Sequence, residues 1–137
     1  MYILDTNVIS ELRKGKASQA QQVRAWASEI PVTQLYLSAI TVLEMELGTQ
    51  QMERRDAPQG AVLRRWVGRV LGEFEGRVLA FTASTGVLCA GLHVPNPRSF
   101  RDSMIAATAI EHSFSVVTRN VRDFEGTRVA IIDPWQA

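Results

Sequence analysis

The stretch Tyr2-Ile3-Leu4-Asp5-Thr6-Asn7 places three apolar residues directly before three short polar ones. A short apolar run that ends at a turn-forming Asp is typical of a buried strand that leads into a helix. Similar apolar runs recur along the chain and alternate with longer stretches of helical period. This alternation predicts an α/β domain with a mostly parallel sheet.

Outward from this first strand, at 2–4, the same patterns place the remaining elements. Further strands are predicted at 35–37, 77–81, 115–118 and 128–132, and helices at 23–30, from 39 past 47, at 82–93 and at 102–112. Residues 54–74 are predicted to form one or two exposed helices, the second starting near Pro58. The face from Arg54 to Arg69 is rich in arginine, which is typical of a solvated helical surface. A surface that follows phosphates or binds a partner is the alternative.

The composition bounds the class of protein. The 137 residues match one ordinary domain, 1–137, and the formal net charge of +1 argues against broad electrostatic attraction to DNA or lipid. Cys89 is the single cysteine, which fits a reducing compartment such as the cytoplasm. We expect no signal peptide, because no basic segment precedes an apolar stretch at the N-terminus and Asp5 follows within five residues. We expect no membrane span, because no apolar run approaches the roughly 20 residues that a span needs.

Two aspartates stand at the starts of predicted helices. Asp5 closes the first strand, where an N-cap role is the simple alternative to a functional one. Asp102 precedes an apolar stripe at 105, 106, 109 and 110, whose small residues predict a helix packed closely against the sheet. Ser99 gives Asp102 the spacing of a capping box, so a structural role stays open here too.

A third acid, Glu44, lies on the helix that follows the second strand. At about 100° per residue, Glu44 falls inside the apolar arc of Ile40, Leu43 and Leu47, whereas Glu46 falls outside it. A carboxylate on an inward face is costly unless it is paired or binds a metal. The helix geometry therefore favours Glu44 over Glu46 as a site residue, with a salt-bridged Glu at the edge of the stripe as the alternative.

A fourth acid, Asp123, lies in the polar loop that leaves the fourth strand, where a turn role is the alternative. Thr118 and Asn120 add short oxygen-bearing side chains at the same strand end. Because sites in open parallel sheets form outside the carboxyl ends of strands, Asp5 and these residues are expected to meet there. Converging carboxylates need a counter-cation, and an oxygen-only ligand set suits Mg²⁺ or Mn²⁺. Such a site commonly serves phosphoryl chemistry.

Five blocks of sequence follow one another in order along nearly the whole chain. They are ILDTNVIS at 3–10, LSAITVLE at 37–44, DSMIAATA at 102–109, TRNVRDF at 118–124 and Pro134-Trp135. In these blocks the chain resembles the PIN-domain ribonucleases, and within them the VapC-type toxins of bacterial type II toxin–antitoxin pairs. The resemblance implies a three-layer α/β/α sandwich with a central, mostly parallel sheet of about five strands.

The resemblance also implies site residues and partners. The implied acidic set, both catalytic and metal-binding, is Asp5, Glu44, Asp102 and Asp123, with Thr6, Asn7, Thr118 and Asn120 as supporting polar residues. The implied reaction is hydrolysis of RNA phosphodiester bonds with Mg²⁺ or Mn²⁺. Arg119 is a candidate phosphate contact, with an ordinary surface arginine as the alternative. The implied partners are RNA, a cognate antitoxin and a second copy of the chain, as a homodimer within a larger toxin–antitoxin complex.

Two positions depart from the family pattern. Arg101 stands directly before Asp102, where many relatives carry a smaller or uncharged residue. Pairing with an acid and binding of a phosphate both stay open as its role. Asp133 takes the place of an Asn before Pro134-Trp135, and we do not expect it to be a ligand.

Two other functions remain as alternatives. A PIN-fold binding module without catalysis would keep the fold and lose the chemistry, and the presence of all four acids argues against it. A phosphoryl-transfer enzyme or receiver domain would rely on a lysine near the site. The lysines are Lys14 and Lys16, which fall in an early polar stretch, and none follows the later strands.

Overall fold

The computed structural model describes residues 1–13 and 20–136. In these ranges the strands are β1 (Tyr2–Leu4), β2 (Leu35–Ser38), β3 (Val78–Leu79), β4 (Ser115–Val117) and β5 (Ile131–Ile132). They form one five-stranded sheet in the order β3-β2-β1-β4-β5, and every pair is parallel. The predicted parallel sheet of about five strands is therefore confirmed.

Helices and short 3₁₀ turns connect the strands. The helices are α1 (Thr6–Glu11), α2 (Gln21–Glu29), α3 (Ala39–Arg55), α4 (Ala57–Glu73), α5 (Ala83–Gly91) and α6 (Phe100–His112), with 3₁₀ turns at Val32–Gln34 and Val121–Phe124. None of the helices in the described ranges combines the length and the hydropathy of a bilayer span. Lys14 and Lys16 lie outside the described residues.

The two faces of the sheet carry separate hydrophobic cores, because side chains alternate along each strand. Leu4 and Val117 point to one face, where α1 to α4 cover the sheet. Ile3 and Val116 point to the other face, where α6 covers it. The first core gathers Val8, Val23, Met45, Trp66, Val67, Val70 and Phe74, and the second gathers Ile105, Ala106, Ala109 and Phe124. This is the predicted three-layer sandwich, with the small residues of α6 against the sheet.

The predicted exposure of 54–74 is wrong. Arg54 and Arg55 end α3, and α4 begins after the N-cap Asp56, which accepts a hydrogen bond from the backbone of Gln59 at 3.2 Å. Trp66, Val67 and Val70 on α4 are buried in the first core. The apolar stripe of α4 was obscured in the sequence by the arginines that alternate with it.

Arg64 is one of these arginines, and it ties α4 to α3. Its guanidinium pairs with Glu46 at 2.6 Å and with Glu53 at 2.9 Å. The hydrogen bonds from Arg64 lower the pKa of both glutamates from the ordinary value. Because all three side chains are well exposed, these pairs contribute little stability, and their effect is to fix how the two helices meet.

The fifth strand is shorter than the predicted 128–132. Arg128 has a φ of 69°, in the left-handed region, so extended backbone starts only after it. The third strand is also shorter than 77–81, because only Val78 and Leu79 pair with β2.

Gly60 marks a close approach between α3 and α4. A Cβ built at this position would lie 2.4 Å from the Cα of Glu53 on the facing helix. We therefore expect Gly60→Ala to lower the free energy of unfolding by about 1–3 kcal/mol. Urea denaturation measures this, and Gly68→Ala on the same helix is the control.

Gly68 has nothing within 4 Å of its built Cβ. Its replacement by Ala is expected to raise the free energy of unfolding by about 0.5–1 kcal/mol, since Ala is the better helix former. Equal stabilities of the two variants would contradict the tight helix contact.

Candidate metal centre

The candidate site lies where the carboxyl ends of β1 and β4 meet. Leu4 pairs with Val117 across the sheet, and the Asp5 backbone N–H donates to the Val117 carbonyl at 2.9 Å. The strand order reverses beside β1, since the chain first winds out to β3 and then returns to β4 and β5. Ligand sites in open α/β sheets form at such a reversal, and Asp5 and Thr118 are the residues that follow the two strands here.

Asp5 is fully buried and uses both of its carboxylate oxygens. Oδ1 accepts from the Thr6 backbone N–H at 2.8 Å, which makes Asp5 the N-cap of α1. Oδ2 accepts from the Thr118 hydroxyl at 2.7 Å and from the Asn7 amide at 3.5 Å. The N-cap role of Asp5 is therefore confirmed, and the same carboxylate also contacts Thr118 at the carboxyl edge of the sheet.

The buried face of α3 differs from the predicted one. Leu43 and Leu47 are 60% and 52% exposed, while Thr41, Met45 and Thr49 are buried. The turn at the end of β2 sets this rotation: Ser38 caps α3 by accepting from the Thr41 backbone at 3.1 Å, and the two hydroxyls lie 3.3 Å apart in the interior. The expectation that Glu44 lies among inward-facing leucines is therefore wrong.

Glu44 nevertheless reaches the site from the side of α3. Its side chain is 29% exposed, and Oε1 accepts from the Thr6 hydroxyl at 2.8 Å. Glu46, expected to face solvent, is 38% exposed and pairs with Arg64 on α4. The choice of Glu44 over Glu46 agrees with this geometry, although the reason given for it does not.

Asp102 lies in the first turn of α6, and its side chain is 12% exposed. The capping box that its spacing suggested is absent from this described helix, because the Ser99 side chain makes no cap hydrogen bond. Asp102 instead directs Oδ1 at Arg101 Nη1, 2.5 Å away.

Arg101 joins the three carboxylates. Its Nε lies 2.6 Å from Glu44, its Nη1 bonds Asp102, and its Nη2 bonds Asp5. Partial burial acts to lower the pKa of the guanidinium, but the hydrogen bond to Glu44 and the charge of Asp5 outweigh it, so the pKa lies above its ordinary value. Arg101 is therefore a fixed positive charge in the middle of the acidic cluster.

Asp123, Asn120 and Arg119 lie at the rim. Asp123 is exposed in a 3₁₀ turn, and within the described ranges its side chain makes no hydrogen bond or ion pair. Asn120 is also exposed, and its backbone N–H donates to Thr118 at 3.0 Å. The Arg119 guanidinium carbon lies 5.1 Å from the centroid of the Trp135 ring. Arg101 thus joins three of the four predicted acids, and Asp123 is not among its partners.

Two neighbouring residues complete the description of the rim. The Asn7 side-chain oxygen accepts from the Arg119 backbone N–H at 3.3 Å, so Asn7 links the loop after β4 to the start of α1. Asp133 accepts from the Trp135 backbone at 2.9 Å and is bound in its own turn.

The chemistry of the donor set decides whether it suits a divalent metal. In residues 1–13 and 20–136, no three His, Cys, Asp or Glu side chains are already spaced around one ion. The Arg101 guanidinium lies between the three carboxylates instead and bonds one oxygen of each. The three acids come from separate elements, offer only oxygen atoms and already converge on the positive charge of Arg101. Such a set fits Mg²⁺ or Mn²⁺.

The central position of Arg101 is the feature that sequence reasoning left open. The sequence does contain a feature that indicates an acidic partner for Arg101. A basic side chain in the first turn of a helix is unfavourable with the helix dipole unless an acid pairs with it. Arg101 occupies this position directly beside Asp102.

Fold and site together define a class of α/β protein in which a parallel sheet, covered on both faces, carries acids from three separate elements at its carboxyl edge. The chain belongs to the PIN domain family, whose sequence model matches residues 2–129. The resemblance drawn from the five sequence blocks is therefore confirmed.

Individual relatives extend the similarity over almost the full chain. The chain is 40% identical over 144 residues to VapC ribonuclease Y4jK of Sinorhizobium fredii, with 99% of each sequence covered. It is 33% identical over 145 residues to Toxin FitB of Neisseria gonorrhoeae, covering 98% of this chain and 99% of the relative. A crystal structure of FitAcB from Neisseria gonorrhoeae matches with a TM-score of 0.89 at 33% identity and covers 100% of both chains.

Proposed function

We propose that this chain is a divalent-metal-dependent ribonuclease that hydrolyses RNA phosphodiester bonds. The observation that carries the proposal is that Asp5, Glu44 and Asp102 converge at the carboxyl edge of the sheet, where all three pair with the guanidinium of Arg101. Membership of the PIN domain family and the 40% identity to a relative named a VapC ribonuclease support RNA as the substrate. In this proposal the three carboxylates hold Mg²⁺ or Mn²⁺, and Asp123 joins them from the loop after β4.

The chemistry that such an ion supplies is activation of water and neutralisation of charge on phosphate. The chain's own residues orient the ligands. Thr6 donates its backbone N–H to Asp5 and its hydroxyl to Glu44, and Thr118 donates to the second oxygen of Asp5. Losing partners of this kind typically costs about 10- to 100-fold in metal affinity or activity. The reaction requires no nucleophilic side chain.

The rim of the site is where RNA approaches in this proposal. Arg119 is exposed, and its contact with the Trp135 ring limits where the guanidinium lies. We assign Arg119 to an RNA phosphate, because its planar fork of donors matches phosphate oxygens. Asn120 lies beside it at the same strand end and is assigned a supporting polar role.

The proposed protein partners are a cognate antitoxin and a second copy of the chain, in a larger toxin–antitoxin complex. The 33% identity to a relative named a toxin supports this. We further propose that residues 1–137 form one domain and that the protein acts in the cytoplasm, where its substrate RNA is found. The buried, unpaired Cys89 is compatible with that reducing compartment.

Sequencing of RNA 5′ ends after brief induction tests the reaction and identifies the substrate. We expect new 5′ ends at a small set of sites in cells that express the wild-type chain. Cells that express Asp5→Asn at the same level should show none above background. New ends that are equally abundant with both chains would contradict the proposal.

Two glutamates on α3 give a matched test of the site. Glu44→Gln removes the charge of a carboxylate in the cluster, so we expect the rate of RNA cleavage to fall on the order of 10²-fold. Glu46→Gln removes a charge that pairs with Arg64 instead, and we expect a rate within about twofold of wild type. Initial rates on a labelled RNA with Mn²⁺ measure the activity of both variants. Equal losses of activity would contradict the assignment of Glu44, and not Glu46, to the site.

A further inference from the structure

Arg101 takes up one oxygen of each carboxylate in the proposed metal site. Nε bonds Glu44 Oε2, Nη1 bonds Asp102 Oδ1, and Nη2 bonds Asp5 Oδ1. The second oxygens of Asp5 and Glu44 accept from threonine hydroxyls. The guanidinium occupies the position between the three carboxylates, so an ion that binds all three must take its place.

The charges give Arg101 a role in the metal-free chain. Three carboxylates held this close repel one another unless a cation lies between them. Among the residues that the structure describes, Arg101 is the only basic side chain in an ion pair with Asp5, Glu44 or Asp102. Its guanidinium thus supplies the counter-charge that a divalent ion supplies in the metal-bound state.

We propose that Arg101 is a built-in competitor of the metal: its guanidinium fills the acidic site in the metal-free chain and must leave before Mg²⁺ or Mn²⁺ binds there. This inference rests on the metal site of the proposed function. The Arg101 side chain is 30% exposed and begins in the first turn of α6, so the guanidinium can turn to solvent while the helix stays intact.

The guanidinium of Arg101 and a Mg²⁺ ion differ in size. This difference makes Arg101 a competitor of the metal and not a residue that positions the metal ligands. Mg²⁺ takes oxygen ligands at about 2.0–2.1 Å, whereas a guanidinium spaces its acceptors around a planar fork. The carboxylates that surround Arg101 must therefore move closer together to hold an ion. A side chain that keeps them apart opposes metal binding, and the site becomes responsive to the concentration of the divalent ion.

Mn²⁺ titration by calorimetry is the primary test. Arg101→Gln removes the competing charge, and we expect the Kd for Mn²⁺ to fall about 10- to 100-fold relative to wild type, within the range typical of coupled binding equilibria. Arg54→Gln removes the same charge from the exposed end of α3, and its Kd should stay within about threefold of wild type. An Arg101→Gln Kd that is equal to or weaker than that of wild type would overturn the competitor role.

Thermal unfolding gives a readout that does not depend on activity. Without metal, Arg101→Gln leaves the carboxylates uncompensated and should melt at a lower temperature than wild type. With saturating Mn²⁺ it should gain more in Tm than wild type gains. A variant with wild-type Tm in both conditions would contradict the proposal.

Arg101→Lys covers the case in which Arg101→Gln does not fold without metal. A lysine keeps the charge but lacks the planar fork with which Arg101 bonds the three carboxylates, so its Kd for Mn²⁺ is expected to be lower than that of wild type. The NMR signal of the Arg101 Nε–H in the wild-type chain adds a direct observation. We expect saturating Mg²⁺ to shift this signal to the position of a solvated arginine, and an unchanged signal in the metal-bound chain would overturn the displacement.

Asp5→Asn separates this inference from the metal site on which it rests. We expect Asp5→Asn to weaken Mn²⁺ binding strongly in both the wild-type and the Arg101→Gln backgrounds. Binding that survives Asp5→Asn would overturn the metal site and the inference together. Binding that requires Asp5 but does not change with Arg101→Gln would overturn the inference alone.

Discussion

Asp5→Asn is expected to abolish RNA cleavage, with a loss on the order of 10³-fold or more, in a chain that still folds. Asp5 is the acid most deeply enclosed in the site, and no other described carboxylate lies at the end of β1 to replace it. An amide of the same shape keeps one oxygen and loses the charge. The proposed metal would then lose an anionic ligand, whereas the hydrogen bonds that hold the backbone around residue 5 would stay almost unchanged.

The hydrogen bonds around Asp5 explain why the fold should survive. The Asn oxygen can still accept from the Thr6 backbone and cap α1, and the Asn amide can donate to the Thr118 hydroxyl. Arg101 keeps its pairs with the other two carboxylates. Far-UV circular dichroism and Tm check the fold, and cleavage of a labelled RNA with Mn²⁺ checks the activity.

Asp133→Asn is the matched control for this variant. Asp133 contacts the Trp135 backbone and takes no part in the acidic cluster, so cleavage should stay close to the wild-type rate. Excess EDTA added to the wild-type chain should reproduce the loss seen with Asp5→Asn, and added Mn²⁺ should reverse it. Full cleavage by Asp5→Asn, or by wild type in EDTA, would refute the metal-dependent mechanism.

The position of Asp5 beside Thr118 could be predicted from the sequence, because it follows from local pattern and one topological rule. Two apolar runs predicted strands, both ended in a short polar residue, and carboxyl ends of parallel strands share one edge of the sheet. The register of Leu4 with Val117 then brings the two polar residues together. Few long-range contacts had to be known for this part of the site.

The rotation of α3 could not be predicted in the same way. Helical periodicity predicts that Leu43 and Leu47 face inward because they are apolar, but an exposed leucine is common on protein surfaces, and burial follows only from packing. The interior of α3 is set instead by the hydroxyls of Ser38 and Thr41 at the junction with β2. In the sequence, a capping residue signals this contact, but no pattern of apolar residues does. Apolar periodicity alone therefore predicts the wrong buried face of α3.

Arg101 shows a second limit of sequence reasoning. Its three acidic partners lie 96, 57 and 1 residues away along the chain, and only the nearest is visible in a local window. Asp123 shows the same limit for a loop residue. The sequence predicts its position in the loop after β4, but not the 3₁₀ turn that leaves its side chain exposed.

Expression of the wild-type chain alone is expected to arrest bacterial growth, and co-expression of the antitoxin from the neighbouring gene should restore it. The physical reason is turnover: at an ordinary rate of about 1–10³ s⁻¹, each molecule cuts many RNAs in one cell generation. Asp5→Asn at equal protein level should not arrest growth, which makes it the control that separates cleavage from the burden of expression. Growth curves and colony counts after induction measure the effect. Arrest by Asp5→Asn as strong as that by wild type would mean that toxicity does not come from the acidic site, and harmless expression of folded wild-type chain would argue against a toxin altogether.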